Sequence, residues 1–106
     1  DLVRSRGLGD VYKRQMCATD RLLAGLAALE GEHEESDRLF AAALALEEAV
    51  QSPPLAARTR HWWAQAMIRR GEIARAQPLL EAALSSAREL GMHHLATQLE
   101  DLARVR

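Results

Sequence analysis

The chain has 106 residues, of which 48% are hydrophobic and only 4% aromatic, and its formal net charge is −1. This length allows one domain, and the balanced charge argues against the strongly basic composition of nucleic-acid-binding proteins. The single cysteine excludes an intramolecular disulfide framework and favours a reducing, cytoplasmic compartment. The longest uncharged apolar run, Leu22–Leu29, is too short to span a membrane.

Residues 1–15, DLVRSRGLGDVYKRQ, differ from the rest of the chain. They contain the only lysine, Lys13, and the only tyrosine, Tyr12, and their apolar residues show no helical spacing. The stretch 5–15 resembles the in-frame translation of a transposase sequencing adapter. We therefore expect residues 1–15 to be a disordered, non-native scar, and the remainder to be a fragment of a longer protein. The alternative is a genuine basic arm that contains glycine.

The segment 16–51 predicts a pair of helices. In the first, Met16–Glu30, leucines and alanines form a broad apolar face. The second, Glu32–Gln51, begins with acidic residues that complement the positive end of the helix dipole. The run Ser52–Pro54 is expected to end this helix, because proline disfavours the α conformation in the residue before it.

The segment 54–91 predicts a second pair, with one helix from Pro54 or Leu55 to Arg70 and another over Glu72–Leu90. Gly91 stands where a left-handed residue would end the last of these helices. Trp62 and Trp63 are adjacent, so their side chains point about 100° apart and cannot both face one neighbour.

The segment 92–106 predicts a partial third unit. One helix, His93–Arg104, has Leu95, Leu99 and Leu102 at helical spacing, which we expect to face inward. No second helix follows to form a pair. A terminal apolar face without a cover is typical of a truncated or self-associating repeat protein.

The two helix pairs repeat each other at an offset of 40 residues. Gly31 and Gly71 stand 71 − 31 = 40 positions apart, and each supplies the backbone freedom that ends the first helix of its pair. The small and large apolar positions stay in phase with these glycines, which predicts an all-α fold of about five helices in antiparallel hairpins. At this offset Ala24 aligns with Ala64, Ser36 with Ala76, Phe40 with Leu80, and Ala43 with Ala83.

This pattern resembles the tetratricopeptide repeat (TPR): a small residue in helix A, a glycine at the turn, then a small, a bulky apolar and an alanine residue in helix B. The chain departs from it in its period of 40 instead of 34 and in having Glu48 and Arg88 at the closing proline position. The resemblance covers about residues 19–106 and implies a short right-handed solenoid. Residues 78–102 also look like the C-terminal repeats of large bacterial regulators with an NTPase module, including LuxR-type activators.

The resemblance implies that helix A lines an inner groove. An exposed tryptophan flanked by arginines is typical of the residues that dominate protein interfaces, so we predict a protein-binding groove here. The alternative is that Trp62 packs against a neighbouring repeat, because solenoid helices bury two faces. In the second repeat the groove positions fall on Arg58, His61, Trp62, Gln65 and Arg69.

No pattern in residues 16–106 predicts catalysis, a cofactor or a metal. His93 and His94 are adjacent and diverge on a helix, whereas helical metal ligands need spacings near three or four residues. The carboxylates of Glu34–Asp37 and Glu47–Glu48 have no nucleophile or histidine partner at a defined spacing, so we expect solvated helix surface. We see neither a phosphate-binding loop nor a helix-turn-helix segment, and we predict that the chain is not an enzyme.

The leading functional prediction is a protein-interaction or regulatory-coupling module that binds a protein or peptide, including another domain of its parent protein. The alternative is a homodimer that pairs through Leu95, Leu99 and Leu102. A groove binder would be monomeric with Trp62 exposed, whereas the dimer would bury those leucines between chains. Neither hypothesis involves nucleic acid or a membrane.

Overall fold

The computed structural model describes residue 16 and residues 18–104, and all regular structure in this part of the chain is helical. The predicted all-α class is therefore confirmed for these residues. The predicted scar at 1–15 lies outside them, as do residues 105–106 of the partial third repeat. The helices are α1 (18–29, with residue 16 also helical), α2 (His33–Ala49), α3 (Pro53–Arg69), α4 (Ile73–Glu89) and α5 (His93–Ala103).

A three-residue turn of one form joins each helix to the next, and these turns recur every 20 residues. The amide that follows the middle residue donates to the carbonyl five residues earlier, as in Glu32 N to Ala27 O at 2.9 Å. This is the Schellman motif, which satisfies the last carbonyls of a helix. The middle residues all have positive φ: Gly31 at 81°, Gln51 at 54°, Gly71 at 87° and Gly91 at 72°.

The turn at Gln51 differs from the prediction. We expected α2 to reach Gln51 and to be ended by the prolines that follow, but α2 ends at Ala49. Gln51 takes the left-handed conformation itself, and Ser52 N donates to Glu47 O at 3.0 Å to close the turn. Pro53 then begins α3, because the fixed φ of proline suits the first turn of a helix. The other predicted helix ends lie within one or two residues of the observed ones.

The chain divides between Ser52 and Pro53 into two compact units. In the first unit, α1 and α2 form a hairpin whose contact consists of small residues and one aromatic ring. Ala24, Ser36, Phe40 and Ala43 are all buried. Ser36 Oγ donates a hydrogen bond to Ala24 O at 3.0 Å, directly across the two helices. The small residues predicted to allow close approach are therefore at the contact.

Glu47 corrects the prediction that the acidic residues of α2 are solvated surface. Its side chain is fully buried, and a carboxylate oxygen lies 3.6 Å from Nη1 of Arg21 on α1. A carboxylate in an apolar interior needs a cation nearby, because removal from water penalises the charged form. Glu48, one residue further along the helix, is exposed as predicted.

In the second unit, α4 packs against α3 and α5, and α3 also contacts α5. The repeat positions Ala64, Ala76, Leu80 and Ala83 all lie in its core. Burial in this unit thus follows the same 40-residue offset as the sequence, and the repeat is a repeat of buried contacts. The remaining buried members of the core are Ala57, Met67, Ala87, Leu95, Ala96 and Leu99.

The leucines of α5 belong to this core. Leu95 and Leu99 are buried in it and Leu102 packs against it, so the prediction that they face inward is confirmed. The expected uncovered face is not found on α5, because α4 and α3 contact this helix. Pairing of two chains through these leucines would require the second unit to open.

Candidate functional site

α3 carries the residues that the sequence assigns to the binding groove. Pro53 and Pro54 occupy its first turn, where a helix needs no backbone donor, and strong helix formers follow. Ala57, Ala64 and Met67 fix one side of the helix in the core of the second unit. Three further side chains of α3 are also buried, namely Ala56, Thr59 and Ala66. Packing therefore leaves only the remaining, narrower side of the helix less constrained.

The predicted groove residues lie on this less constrained side. Arg58, Trp62 and Arg69 are exposed, and Trp62 keeps 40% of its surface in contact with solvent. His61 and Gln65 are half-buried beside them. Part of the Trp62 surface is therefore accessible to solvent, as a groove binder requires.

The neighbouring indole has a different environment. Trp63 is partly buried and packs against the core of the second unit. The two adjacent tryptophans diverge, as the 100° step of an α-helix predicts. Trp63 therefore contributes to the stability of the second unit, while Trp62 keeps part of its surface exposed.

Arg58 also borders a pocket of about 220 Å³ inside the second unit. Gln98 on the opposite wall follows Arg58 by 98 − 58 = 40 residues, so the pocket joins equivalent positions of successive first helices. Gln98 and His94 were not predicted as site residues, although the 40-residue offset was a usable signal for Gln98. The residues that line the pocket with Arg58 are Met92, His93, His94, Leu95 and Gln98.

The electrostatic character of α3 is of one sign. The helix contains three arginines and no aspartate or glutamate. Among the described residues, neither Arg58 nor Arg69 takes part in an ion pair. Burial lowers the pKa of His61, so its imidazole is neutral at pH 7. The positive charge on this side therefore comes from guanidinium groups, which bind carboxylates in a planar, bidentate geometry.

A second depression, of about 790 Å³, lies at the start of α2 and is lined by Glu32, His33, Glu34, Glu35 and Arg38. These residues belong to a single turn region of one helix. Arg38 Nε donates to Glu35 Oε2 at 2.9 Å, and this hydrogen bond lowers the pKa of the Glu35 carboxyl. Among the described residues no second element supplies a facing wall, so we interpret the depression as a solvated helix end.

Metal and membrane chemistry find no support in the described part of the chain. Within residue 16 and residues 18–104, no group of three or more His, Cys, Asp or Glu side chains is placed to hold a metal ion. None of the helices there combines the length and the apolar content needed to cross a bilayer. What α3 and the first turns of α5 do present is a set of binding groups: an indole, two guanidinium groups and two amides.

Scans against protein-family models, curated proteins and solved structures found no match to this chain.

Proposed function

We propose that the chain is a TPR-like helical repeat module that binds a protein or peptide segment across the exposed side of α3. The observation that supports this most is Trp62, which is 40% exposed between the exposed Arg58 and Arg69 and lies on the same helix as the Arg58 pocket. Tryptophan and arginine are the residues that most often dominate binding energy at protein interfaces. His61 and Gln65 would add neutral hydrogen-bonding groups beside them.

The sequence resemblance alone suggests what kind of protein the module belongs to. With the TPR-like pattern we propose an arrangement as a right-handed solenoid. We also propose that the parent protein is a LuxR-type or NTPase-linked bacterial regulator, because residues 78–102 look like the ends of such proteins. On this proposal the module works in the cytoplasm and couples a bound segment, including one from its own parent protein, to the regulator. It requires no cofactor and carries out no reaction itself.

The test is a binding selection with Trp62 as the variable. Peptides displayed on phage are selected on the full chain and then measured by fluorescence anisotropy against the Trp62→Ala variant. We expect the variant to bind about 30-fold or more weakly, because truncation of a central tryptophan commonly costs about 2 kcal/mol or more. Leu90→Ala is the matched control, since Leu90 is a large side chain with 44% exposure at the end of α4. Equal affinity of the wild type and both variants would contradict the proposal.

A second candidate function, self-association, is favoured by a different observation from the one predicted. Leu22, Leu23, Leu26 and Leu29 of α1 are exposed, and Leu29 reaches 72%. Several large apolar side chains on one helix exceed the scattered exposure that is usual for a monomer. This moves the candidate dimer surface from α5 to α1.

Sedimentation distinguishes this candidate from groove binding. A dimer that Leu22→Gln with Leu26→Gln converts to a monomer, and that Leu90→Gln leaves intact, would support pairing through α1. A wild-type chain that stays monomeric at high concentration would exclude it, and it would leave the α3 proposal untouched.

A further inference from the structure

The exposed stripe of α3 has a geometry that limits what can bind it. Arg58, Trp62 and Arg69 are separated by four and then seven residues. At about 100° per residue, eleven residues make three turns and about 20° more, so the three side chains leave the helix within about 40° of one another. The rise of about 1.5 Å per residue places Arg69 about 16 Å beyond Arg58, with Trp62 about 6 Å from Arg58.

Among the described residues, no acidic side chain forms an ion pair with the two arginines of this stripe. The acidic residues of α5 are already engaged, since Glu100 pairs with Arg88 at 3.3 Å and Asp101 pairs with Arg104 at 3.7 Å. α3 itself has no acidic residue. The stripe therefore presents two separated positive charges with an apolar indole between them, and a complementary partner carries two negative charges around an apolar side chain.

The spacing favours a helical partner over an extended one. A helix laid along α3 has the same rise and repeat, so carboxylates eleven residues apart and an apolar residue four positions from one of them reproduce the spacing. In an extended strand about 16 Å corresponds to a step of about five positions, and side chains that are an odd number of positions apart point to opposite faces. One strand face cannot meet both arginines.

A protein segment also fits better than nucleic acid. Two exposed arginines about 16 Å apart neutralise at most two phosphates, whereas nucleic-acid-binding surfaces carry broad basic patches on basic domains. The whole chain carries a formal net charge of −1. The chain therefore attracts a polyanion only weakly at long range. The two arginines of the stripe instead favour short-range ion pairs with carboxylates at matching positions.

From this geometry we infer that the partner of α3 is an acidic amphipathic helix with two carboxylates about eleven residues apart, which pair with Arg58 and Arg69. Its apolar side chain, four residues in from one carboxylate, packs on Trp62. The inference rests on the proposed binding function and names the chemical class of the partner. The residues act by recognition alone, so no covalent step is involved.

The experiment is a selection in two stages with the full chain. A displayed library of helical peptides, randomised along one face, is selected on the wild type and on Arg58→Gln with Arg69→Gln. We expect the wild type to enrich peptides with two acidic residues eleven positions apart around an apolar residue. The selected peptide should then bind the double variant about tenfold or more weakly, because charge-assisted hydrogen bonds are lost.

Three controls make each result decisive. In the first, the glutamates of the selected peptide are replaced by glutamines. In the second, the two glutamates are placed seven instead of eleven residues apart, which keeps them on one face of the peptide helix but brings the carboxylates closer together. Both peptides should lose affinity. In the third, Arg75→Gln removes an exposed arginine of α4 whose partner Glu72 keeps its pairing with Arg70, and it should leave affinity unchanged.

The outcomes separate this inference from the proposed function. Enriched peptides that are neutral or basic, or that require Trp62 but tolerate loss of both arginines, would overturn the acidic helix and keep the binding module. Displacement of the peptide by single-stranded DNA or by anionic lipid vesicles at equal charge concentration would also overturn it. No enrichment on the wild type relative to Trp62→Ala would refute both.

Discussion

α1 and α3 hold the same place in their two repeats, yet they present different chemistry to solvent. Ala24 and Ala64 are both fully buried in the hairpins of their own units. On the exposed side, Leu22 of α1 corresponds at the 40-residue offset to Trp62 of α3, and Leu29 corresponds to Arg69. The contact between paired helices is thus kept, while the exposed stripe has an alanine and two leucines on α1 and two arginines and an indole on α3. We therefore assign the candidate functions to the exposed sides of α1 and α3. The buried contact between the paired helices serves stability.

The interior of the two units also differs at one equivalent pair. Arg21 and Glu47 form the buried ion pair of the first unit, and 40 residues later the chain has His61 and Ala87. Ala87 is fully buried, and burial lowers the pKa of His61. The same architecture therefore holds a charged pair in one unit and a neutral pair in the other, which provides a natural template for substitutions.

The largest effect is expected at this pair. Glu47→Ala should lower the free energy of unfolding by about 3 kcal/mol, because it leaves the Arg21 charge in a low-dielectric site without the carboxylate. Adding Arg21→His copies the second unit and should recover most of the loss. Urea unfolding followed by circular dichroism measures both.

Glu48→Ala is the matched control, because Glu48 is adjacent but exposed, and it should change stability by less than about 0.5 kcal/mol. If Glu47→Ala were as mild as Glu48→Ala, the ion pair would not be important for the first unit. The important differences between the two units would then be confined to the exposed sides of α1 and α3.

Thr59 offers the next contrast, with Thr19 as its equivalent at the 40-residue offset. Thr59 is fully buried and its hydroxyl has no hydrogen-bond partner among the described residues, whereas Thr19 is exposed. Thr59→Val keeps the shape and removes the buried hydroxyl, so it should raise the free energy of unfolding by about 1 kcal/mol. Thr19→Val should be nearly neutral. A loss of stability in Thr59→Val would mean that this hydroxyl is satisfied in solution.

The turns give a smaller effect with both signs. A Cβ added at Gly71 meets no atom within 4 Å, so Gly71→Ala tests backbone strain alone and should destabilise by about 1 kcal/mol. Gln51 has φ of 54° without being glycine. Gln51→Gly should stabilise by about 0.5 kcal/mol, because relief of strain exceeds the added chain entropy. Thermal unfolding of the two variants should therefore shift in opposite directions.

The same turn shows how far the sequence could predict the fold. The offset of 40 was readable because glycines, small residues and bulky residues stayed in phase at Gly31 and Gly71. The shorter repeat of 20 residues could not be predicted from the sequence, because glutamine rarely adopts the left-handed conformation that Gln51 has. The prolines that follow Gln51 were predicted to end the helix, whereas in the structure the helix ends at a turn of the same form as the turns at the glycines.

The candidate site was also only partly predictable from the sequence. The divergence of adjacent side chains on a helix predicted that Trp62 and Trp63 would face different neighbours, but it left open whether Trp62 would be exposed. The burial of Glu47 did not follow, because its partner Arg21 is distant in sequence and only hairpin packing brings the two within 3.6 Å. The same holds for the pocket between Arg58 and His94, which depends on the contact of α3 with α5.

The smallest effect concerns pH and tests the neutral member of the second unit's pair. Burial lowers the pKa of His61 below its ordinary value of 6.5. As pH falls through that value the unfolded chain takes up a proton that the folded chain resists, so stability is present above it and is lost below it. His61→Gln should remove this contribution, which we measure as the difference in urea midpoint between wild type and variant from about pH 8 to about pH 5. Because His61 is only half-buried, the change should be smaller than at the other positions. A wild type that instead gains stability on acidification relative to the variant would show that the imidazolium is favoured at this position, where the first unit has Arg21.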